Sequence, residues 1–133
     1  MCWDGMPLKN GCDKNTITIN ECAHAVWKAV DDELNALFQE QLSYLRDSEA
    51  KYPEAPPYPP SRGASEELIN AQQAWVIFRD KDCQYRLGHS AHFEHLVGSG
   101  DHFERLKCMY KHTLKRSDDL REYLACRVDE CPR

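Results

Sequence analysis

The hydrophobic positions of this sequence recur at helical spacing in three long segments. The first segment opens with Thr18-Ile19-Asn20-Glu21, which matches a capping box in which the Thr18 hydroxyl and the Glu21 carboxylate satisfy backbone N–H groups of the first turn. Behind this box one face is apolar, while charges and amides fill the other. The pattern predicts a helix of roughly 30 residues, about 45 Å long. Its apolar face is formed by Ile19, Cys22, Val26, Val30, Leu34, Leu37 and Leu45.

A proline-rich stretch ends this first helix. Five prolines lie between Pro53 and Pro60, and proline removes a backbone donor and prevents helix formation. Because helical patterns flank the stretch on both sides, residues 52–63 are predicted to form a stiff, polyproline-like turn between two antiparallel helices.

The second helix is predicted to begin near Ser65 and to end at Gly88. Glu66 and Glu67 lie in its first turn, where the helix dipole favours acidic side chains, and glycine is common just after a helix end. Its apolar face is formed by residues three or four positions apart: Leu68, Ala71, Trp75 and Phe78.

Residues 88–100 are predicted to form a loop that contains histidine and glycine and at most one helical turn. A third helix follows, opened by the capping sequence Asp101-His102-Phe103-Glu104 and extending to about Cys126. Its apolar face is formed by Phe103, Leu106, Tyr110, Thr113, Leu120 and Leu124.

These segments predict an all-α fold, because no stretch shows the alternating pattern of a strand. Three helices with short connections should form an up-down-up bundle with a long first helix, braced by disulfides. We assign residues 18–127 to this helical domain, residues 1–17 to an N-terminal arm and residues 128–133 to a C-terminal tail.

Composition and charge narrow the function classes. The chain has 133 residues, the size of one domain, and is 41% hydrophobic and 29% charged, as is typical of a globular protein. The net charge is -5 and the basic residues are scattered among acids, so we expect no binding to nucleic acid. No apolar run approaches the roughly 20 residues of a membrane-spanning helix, so we expect no membrane span.

Cysteine is the strongest compositional signal. The chain contains seven cysteines and no CxxC pair, and none lies near a histidine at zinc-finger spacing. So many cysteines without metal-binding spacing indicate disulfides, and therefore an oxidising compartment such as the periplasm or the extracellular space. The alternative is a cytosolic protein with several inert, buried thiols.

The predicted topology also indicates how the cysteines pair. In an up-down-up bundle the start of the first helix, the end of the second and the start of the third lie at one end, which brings Cys22, Cys83 and Cys108 together. Proximity predicts a Cys83–Cys108 bridge between the second and third helices. The remaining bridges would be Cys12–Cys22, and Cys126–Cys131 or one of these two with Cys2.

The N-terminal residues Met1-Cys2-Trp3-Asp4 have neither the basic nor the apolar region of a signal peptide. If the protein is exported, we expect this sequence to be the mature form with an added start Met. An exported bacterial chain that begins at cysteine could be a lipoprotein, with Cys2 as the lipid-anchored residue and an even number of cysteines left for disulfides.

Three segments together resemble the LprI-like lysozyme-inhibitor family of small secreted or lipid-anchored bacterial proteins. In the first segment, Cys22 is followed by Asp32-Glu33-Leu34-Asn35 and then by the aromatic Phe38. This order is similar to the family pattern of a cysteine, then D-x-L-N, then an aromatic residue. Residues 71–83, AQQAWVIFRDKDC, resemble A-Q-x-x-W-x-x-F/Y-R-D-x-x-C. The third segment, similar to C-x4-T-x2-R-x3-L, comprises Cys108, Thr113, Arg116 and Leu120.

The resemblance spans roughly residues 12–124 and implies a helical inhibitor that acts by binding. The Gly-Gly-Ser of the family pattern appears here only as Gly98-Ser99-Gly100. The proline-rich insert, the Cys2 arm and the tail with Cys126 and Cys131 are not part of that pattern, and these extra segments are candidates for partner contacts.

The motif residues can also be explained by structure alone. Trp75 and Phe78 lie one turn apart and should be core residues. Arg79, Asp80 and Arg116 are predicted to form an interhelical ion-pair and capping network, and Asn35 to cap a neighbouring backbone group. We interpret all of them as a fold signature rather than an active site: Asp32, Leu34, Asn35, Trp75, Phe78, Arg79, Asp80 and Arg116.

Metal binding and catalysis have little support. The cluster His89-Ser90-Ala91-His92-Phe93-Glu94-His95, with His102 behind it, could offer metal ligands, but it matches neither HExxH nor HxxEH. A polar loop explains it better. Asp31 and Asp32 are adjacent and should diverge around a helix, and no nucleophile elbow or phosphate-binding loop occurs. We expect no cofactor, no metal and no enzymatic activity.

The favoured hypothesis is a periplasmic or secreted inhibitor that occludes the active site of a lysozyme-like peptidoglycan hydrolase. Alternatives are an immunity protein against a wall-degrading amidase or muramidase delivered by neighbouring bacteria, and an envelope adaptor without inhibitory function. The chain would act as a monomer or a homodimer. Candidate contact residues lie in the proline-rich turn, the start of the second helix and the histidine-containing loop: Tyr52, Tyr58, Glu66, Glu67, His92 and Phe93.

Overall fold

A computed structural model of the chain describes residues 2–3, 6–7, 16–52, 63–94 and 99–125, with side chains for residues 19–52, 63–88 and 102–125. Within these residues, three helices form the fold: α1 (Thr16–Lys51), α2 (Ala64–Glu94) and α3 (Ser99–Ala125). Two short strands, β1 (Cys2–Trp3) and β2 (Met6–Pro7), pair in antiparallel fashion, and β2 contacts both α1 and α3. The predicted all-α fold is confirmed. Strands of two residues are too short to show alternation.

The three helices form the predicted up-down-up bundle. Ala23 near the start of α1 packs with Leu106 near the start of α3, and Leu34 packs further along with Leu120, so α1 and α3 run parallel. The end of α1 meets the start of α2, where Glu49 binds Ser65. This contact shows that α2 runs in the opposite direction.

Several predicted helix ends are wrong. The first helix has 36 residues and begins at Thr16, so Thr18 lies inside its first turn instead of capping it. The second helix continues past Gly88 to Glu94, and residues 88–94 are therefore helical instead of part of a loop. Glycine lowers helix stability by about 1 kcal/mol without preventing a helix. The third helix begins at Ser99, two residues before Asp101, and ends as expected at Ala125.

The core consists of two clusters along the seam between α1 and α3. One cluster contains Ala23, Leu106 and Tyr110, against which Trp27 and Phe103 pack. The other contains Leu34, Leu42, Leu68 and Leu120, with Trp75 packed against it. The second helix supplies few apolar side chains to these clusters, so other interactions must hold it in place.

One such interaction closes the junction between α1 and α2. The Ser65 backbone N–H donates to Glu49 Oε1 at 2.8 Å, and the Ser65 hydroxyl donates to Glu49 Oε2 at 2.6 Å. Ser65 lies in the first turn of α2, where backbone N–H groups have no partner inside the helix. Gly63 makes room for this contact, because a Cβ there would lie 2.8 Å from Glu49 Oε1.

We predict that Glu49→Ala lowers the free energy of unfolding by about 1 kcal/mol, as does the loss of other helix caps. The Ser65 hydroxyl and backbone N–H lower the pKa of Glu49 below its ordinary value. The contact therefore stabilises the fold above the ordinary carboxyl pKa, and this stability is lost as the pH falls through the lowered pKa.

Denaturant titrations at several pH values check this prediction. The parent should lose stability on acidification more steeply than Glu49→Gln, which cannot titrate. Parallel pH profiles for the two proteins would show that the Glu49–Ser65 contact does not contribute to the pH dependence of the free energy of unfolding.

Candidate functional site

The inward face of α2 carries polar side chains. Leu68, Gln72, Arg79 and Cys83 are buried at helical spacing, so an amide and a guanidinium occupy positions that apolar residues usually fill. Since a buried charge is stable only with partners, the surroundings of Arg79 determine how α2 is attached.

Arg79 connects α2 to α1. Its Nη1 lies 3.5 Å from Asp31 Oδ1 on α1, and its Nε donates to Asp80 Oδ1 at 3.0 Å. The guanidinium carbon lies 5.0 Å from the ring centroid of Trp75 and 5.9 Å from that of Trp27. A planar guanidinium suits this environment because it pairs with carboxylates and stacks on aromatic rings.

Arg116 connects α3 to α2. Its side chain is buried, and its Nε donates to Gln72 Oε1 at 2.9 Å. The guanidinium carbon also lies 5.7 Å from the ring centroid of Tyr123, and Nη1 lies 3.8 Å from Asp119 Oδ2. Together with Arg79, this contact fixes the rotation of α2 about its own axis.

The outward face of α2 is apolar as a consequence. Ile77, Phe78 and Tyr85 are 62%, 58% and 64% exposed. The prediction that Phe78 is a core residue is wrong: Arg79, one position later, takes the inward direction, and consecutive helix positions point about 100° apart. Trp75 is half-buried and packs against the core, as expected.

A groove of about 340 Å3 lies beside this face, between α2 and α3. It is lined by the Cys83–Cys108 disulfide, whose Cα atoms lie 5.6 Å apart. The groove is cationic although the chain is acidic. Its charged lining consists of one carboxylate and four cations, namely Glu104, Arg86, Lys107, Lys111 and Lys115.

His112 joins the groove to the apolar face. Its ring meets the Phe78 ring edge-on, with centroids 5.7 Å apart, and its Nε2 lies 2.7 Å from Asp82 Oδ2. Hydrogen bonds from Arg86 and then from His112 lower the pKa of Asp82 below its ordinary value. Asp82 is therefore ionised at neutral pH and accepts hydrogen bonds from both side chains.

His112 also approaches the disulfide. One of its ring nitrogens and the sulfurs of Cys83 and Cys108 all lie within 4.8 Å of one another. Metal ions bind cysteine as thiolate. Joined in a disulfide, the two sulfurs are not available as such ligands.

Comparison with known proteins decides the classification. The sequence profile of the lysozyme inhibitor LprI family matches residues 9–120. The chain belongs to this family. It is also 32% identical over 113 residues to an uncharacterized protein of Rhizobium meliloti (strain 1021), an alignment that covers 80% of this chain and 71% of that protein. No solved structure matches the chain.

The described part of this LprI family member contains no helix that is both long and apolar enough to cross a membrane. The match includes the two cysteines of the confirmed Cys83–Cys108 bridge. Cys22 is also disulfide-bonded, to a cysteine whose side chain lies outside the described residues. The predicted pairings of Cys12, Cys126 and Cys131 lie outside them as well.

The remaining motif residues lie on α1. Leu34 is fully buried in the core. Asp32 is exposed and pairs with Lys28, whereas Asp31 points to Arg79, so the two carboxylates diverge as expected. The prediction that Asn35 caps a backbone group is wrong, because its amide donates to the Asp31 carboxylate at 3.5 Å.

The predicted contact residues lie at two places. Tyr52 is 59% exposed at the end of α1, with Lys51 Nζ 5.5 Å from its ring centroid, and Glu66 is exposed nearby at the start of α2, where Glu67 is half-buried. His92 and Phe93 belong to the last turns of α2, but their side chains lie outside the described residues. Tyr58 lies wholly outside the described residues.

Sequence reasoning missed the exposed face of α2 and the groove. The signal for the first is the spacing of Ala74, Phe78 and Tyr85, which is as helical as that of the inward positions. The signal for the second is Lys111 and Lys115, one turn apart on α3.

We predict that Arg79→Met lowers the free energy of unfolding by about 1.5–3 kcal/mol, because it removes buried, charge-assisted contacts to Asp31 and Asp80. The matched control is Arg86→Met, whose side chain is 68% exposed, so a change within about 0.5 kcal/mol is expected. Urea titrations measure both. Equal effects of the two substitutions would show that Arg79 does not attach α2.

Loss of the Cys83–Cys108 bridge through the double replacement by alanine should lower the free energy of unfolding by about 2–4 kcal/mol. The bridge spans 25 residues and ties α2 to α3 where few apolar contacts do so. Calorimetry of the oxidised parent and the double variant measures the loss. A melting temperature within 2 °C or so of the parent would contradict this role.

Proposed function

We propose that the protein inhibits a lysozyme-like, peptidoglycan-cleaving enzyme by binding it and occluding its active site. The observation that carries the proposal is the match of the lysozyme inhibitor LprI family across residues 9–120. The chain has the bridged cysteines, the tryptophan and the arginine of the family motif, and the arrangement of Trp75, Arg79 and Cys83 supports a shared fold.

The compartment follows from the same chemistry. Disulfides at Cys22 and at Cys83–Cys108 persist in oxidising surroundings. We therefore infer a location in the periplasm or outside the bacterial cell, which is also where peptidoglycan hydrolases act.

The groups on the α2–α3 face support binding over catalysis. His112 is engaged by the Asp82 carboxylate, and the sulfurs beside it are joined to each other. Nucleophilic catalysis needs an activated, unbonded nucleophile next to its base. Among the described side chains, this face instead presents exposed aromatic rings, which are enriched in protein interfaces.

A lysis assay tests the proposal. The purified protein is titrated into egg-white lysozyme acting on bacterial cell walls, and the fall in turbidity is recorded. Inhibition should be saturable and approach one inhibitor per enzyme. No inhibition and no binding at micromolar concentrations, with the disulfides at Cys22 and Cys83–Cys108 intact, would overturn the proposed function.

The acidic end of α2 is proposed to speed association. Lysozymes are commonly basic, so a chain with net charge -5 gains association rate through electrostatic attraction. We predict that Glu66→Lys/Glu67→Lys slows association and leaves dissociation nearly unchanged. Raising the salt concentration should have the same effect, because the Debye length is about 8 Å at physiological ionic strength.

Surface plasmon resonance at several salt concentrations measures both rates. The matched control is Lys28→Glu, a charge change in the opposite direction at an exposed position on α1, which should not slow long-range attraction to a basic enzyme. A salt-independent association rate would exclude electrostatic steering.

A further inference from the structure

We propose that the exposed face of α2 is the surface that enters the substrate cleft of the hydrolase, and that the cations beside it bind the carboxylates of that cleft. We call this surface the α2 ridge and define it by Ala74, Ile77, Phe78, Lys81 and Tyr85. The inference rests on the proposed function and assigns to it a surface and a partner chemistry.

The shape of the α2 ridge suits a concave partner. A single helix surface is convex, and its exposed positions 74, 77, 78, 81 and 85 follow the i, i+3, i+4, i+7 spacing by which helices lie in grooves of other proteins. Each member of the ridge is exposed, so the helix can approach a cleft without moving a covering segment of the described chain.

The apolar members provide the anchors. Ile77, Phe78 and Tyr85 are more than half exposed in the free protein. A partner that excludes water from such large apolar side chains gains binding free energy. Phe78 is oriented in advance by its edge-on contact with His112. Aromatic residues held in this way are typical of the few positions that dominate binding.

The charges beside the ridge indicate what the cleft contains. Among the described residues, Lys81, Lys111 and Lys115 have no ion-pair partner, so a carboxylate can bind them without breaking an existing pair. Lysozyme-like enzymes cleave their substrate with two carboxyl groups that flank the glycosidic bond. The cationic surface is therefore complementary to the catalytic cleft, while the acidic remainder of the chain attracts the enzyme from a distance.

The same charges argue against a second copy of this chain as the occupant. A symmetric dimer through the ridge would bring Lys81, Lys111 and Lys115 of both copies into one interface. Like charges brought together in an interface cost free energy. A carboxylate-lined partner has no such cost.

Two variants test the inference, with inhibition of egg-white lysozyme as the readout. Phe78→Ser removes an anchor from a residue outside the core, and Lys111→Glu/Lys115→Glu reverses the charge of the groove. Each should raise the inhibition constant at least about tenfold, mainly through faster dissociation for Phe78→Ser. Circular dichroism and melting temperature, unchanged from the parent, show that both variants fold.

Matched controls lie elsewhere on the molecule. Tyr52→Ser removes an aromatic side chain of similar exposure, 59% against 58% for Phe78, and Lys28→Glu reverses an exposed charge on α1. Each control should change the inhibition constant less than about threefold. If Tyr52→Ser weakens inhibition and Phe78→Ser does not, the interface lies at the proline-rich end and the inference is wrong.

The outcomes separate this inference from the proposed function. A parent protein that does not inhibit lysozyme overturns both. A parent that inhibits, together with ridge and groove variants that inhibit equally well, overturns only the inference. Light scattering that shows a dimer in the parent and a monomer in Phe78→Ser, without loss of inhibition, would assign the ridge to self-association and also overturn it.

Discussion

The burial of Arg79 is the constraint on which the arrangement of α2 depends. A guanidinium can be buried only where carboxylates and aromatic faces replace its water, and Asp31, Trp27 and Trp75 supply both at one position on the seam with α1. With Arg79 directed inward, the adjacent Phe78 must point about 100° away. The exposed apolar ridge is thus a consequence of a buried charge.

The bundle therefore joins its helices by two different means. The helices α1 and α3 pack through apolar side chains such as Leu34 and Leu120, an attachment that is non-directional and roughly proportional to buried area. The second helix is attached by directional contacts: the pair of Arg79 with Asp31, the bond of Arg116 to Gln72 and the Cys83–Cys108 bridge. Directional contacts fix the rotation of α2 and leave Ile77, Phe78 and Tyr85 exposed at the surface.

Apolar periodicity was enough to predict the number, order and direction of the helices. The Cys83–Cys108 bridge followed because the topology places those residues at one end. The same periodicity failed at Phe78, because it assumes that apolar residues point inward, whereas Arg79 gains more from Asp31 and two indole rings. It also failed at Gly88, since a glycine only weakens a helix that neighbouring residues continue.

The cationic groove could not have been found from composition. Lys111 and Lys115 lie on α3 and Arg86 on α2, and the net charge of -5 conceals a local excess of positive charge that exists only after folding. In the proposed complex, the acidic chain as a whole would set the association rate, and this face would set the lifetime of the complex.

Hydroxyl-radical footprinting tests this account most directly, because it measures the solvent exposure of individual side chains in the free and the bound protein. Phe78 and Tyr85 should be oxidised readily in the free protein, at rates well above that of the buried Leu34, and should become protected when lysozyme is added. Slow oxidation of Phe78 in the free protein would contradict the rotation of α2 set by Arg79. Unchanged oxidation in the lysozyme complex would contradict the role of the α2 ridge.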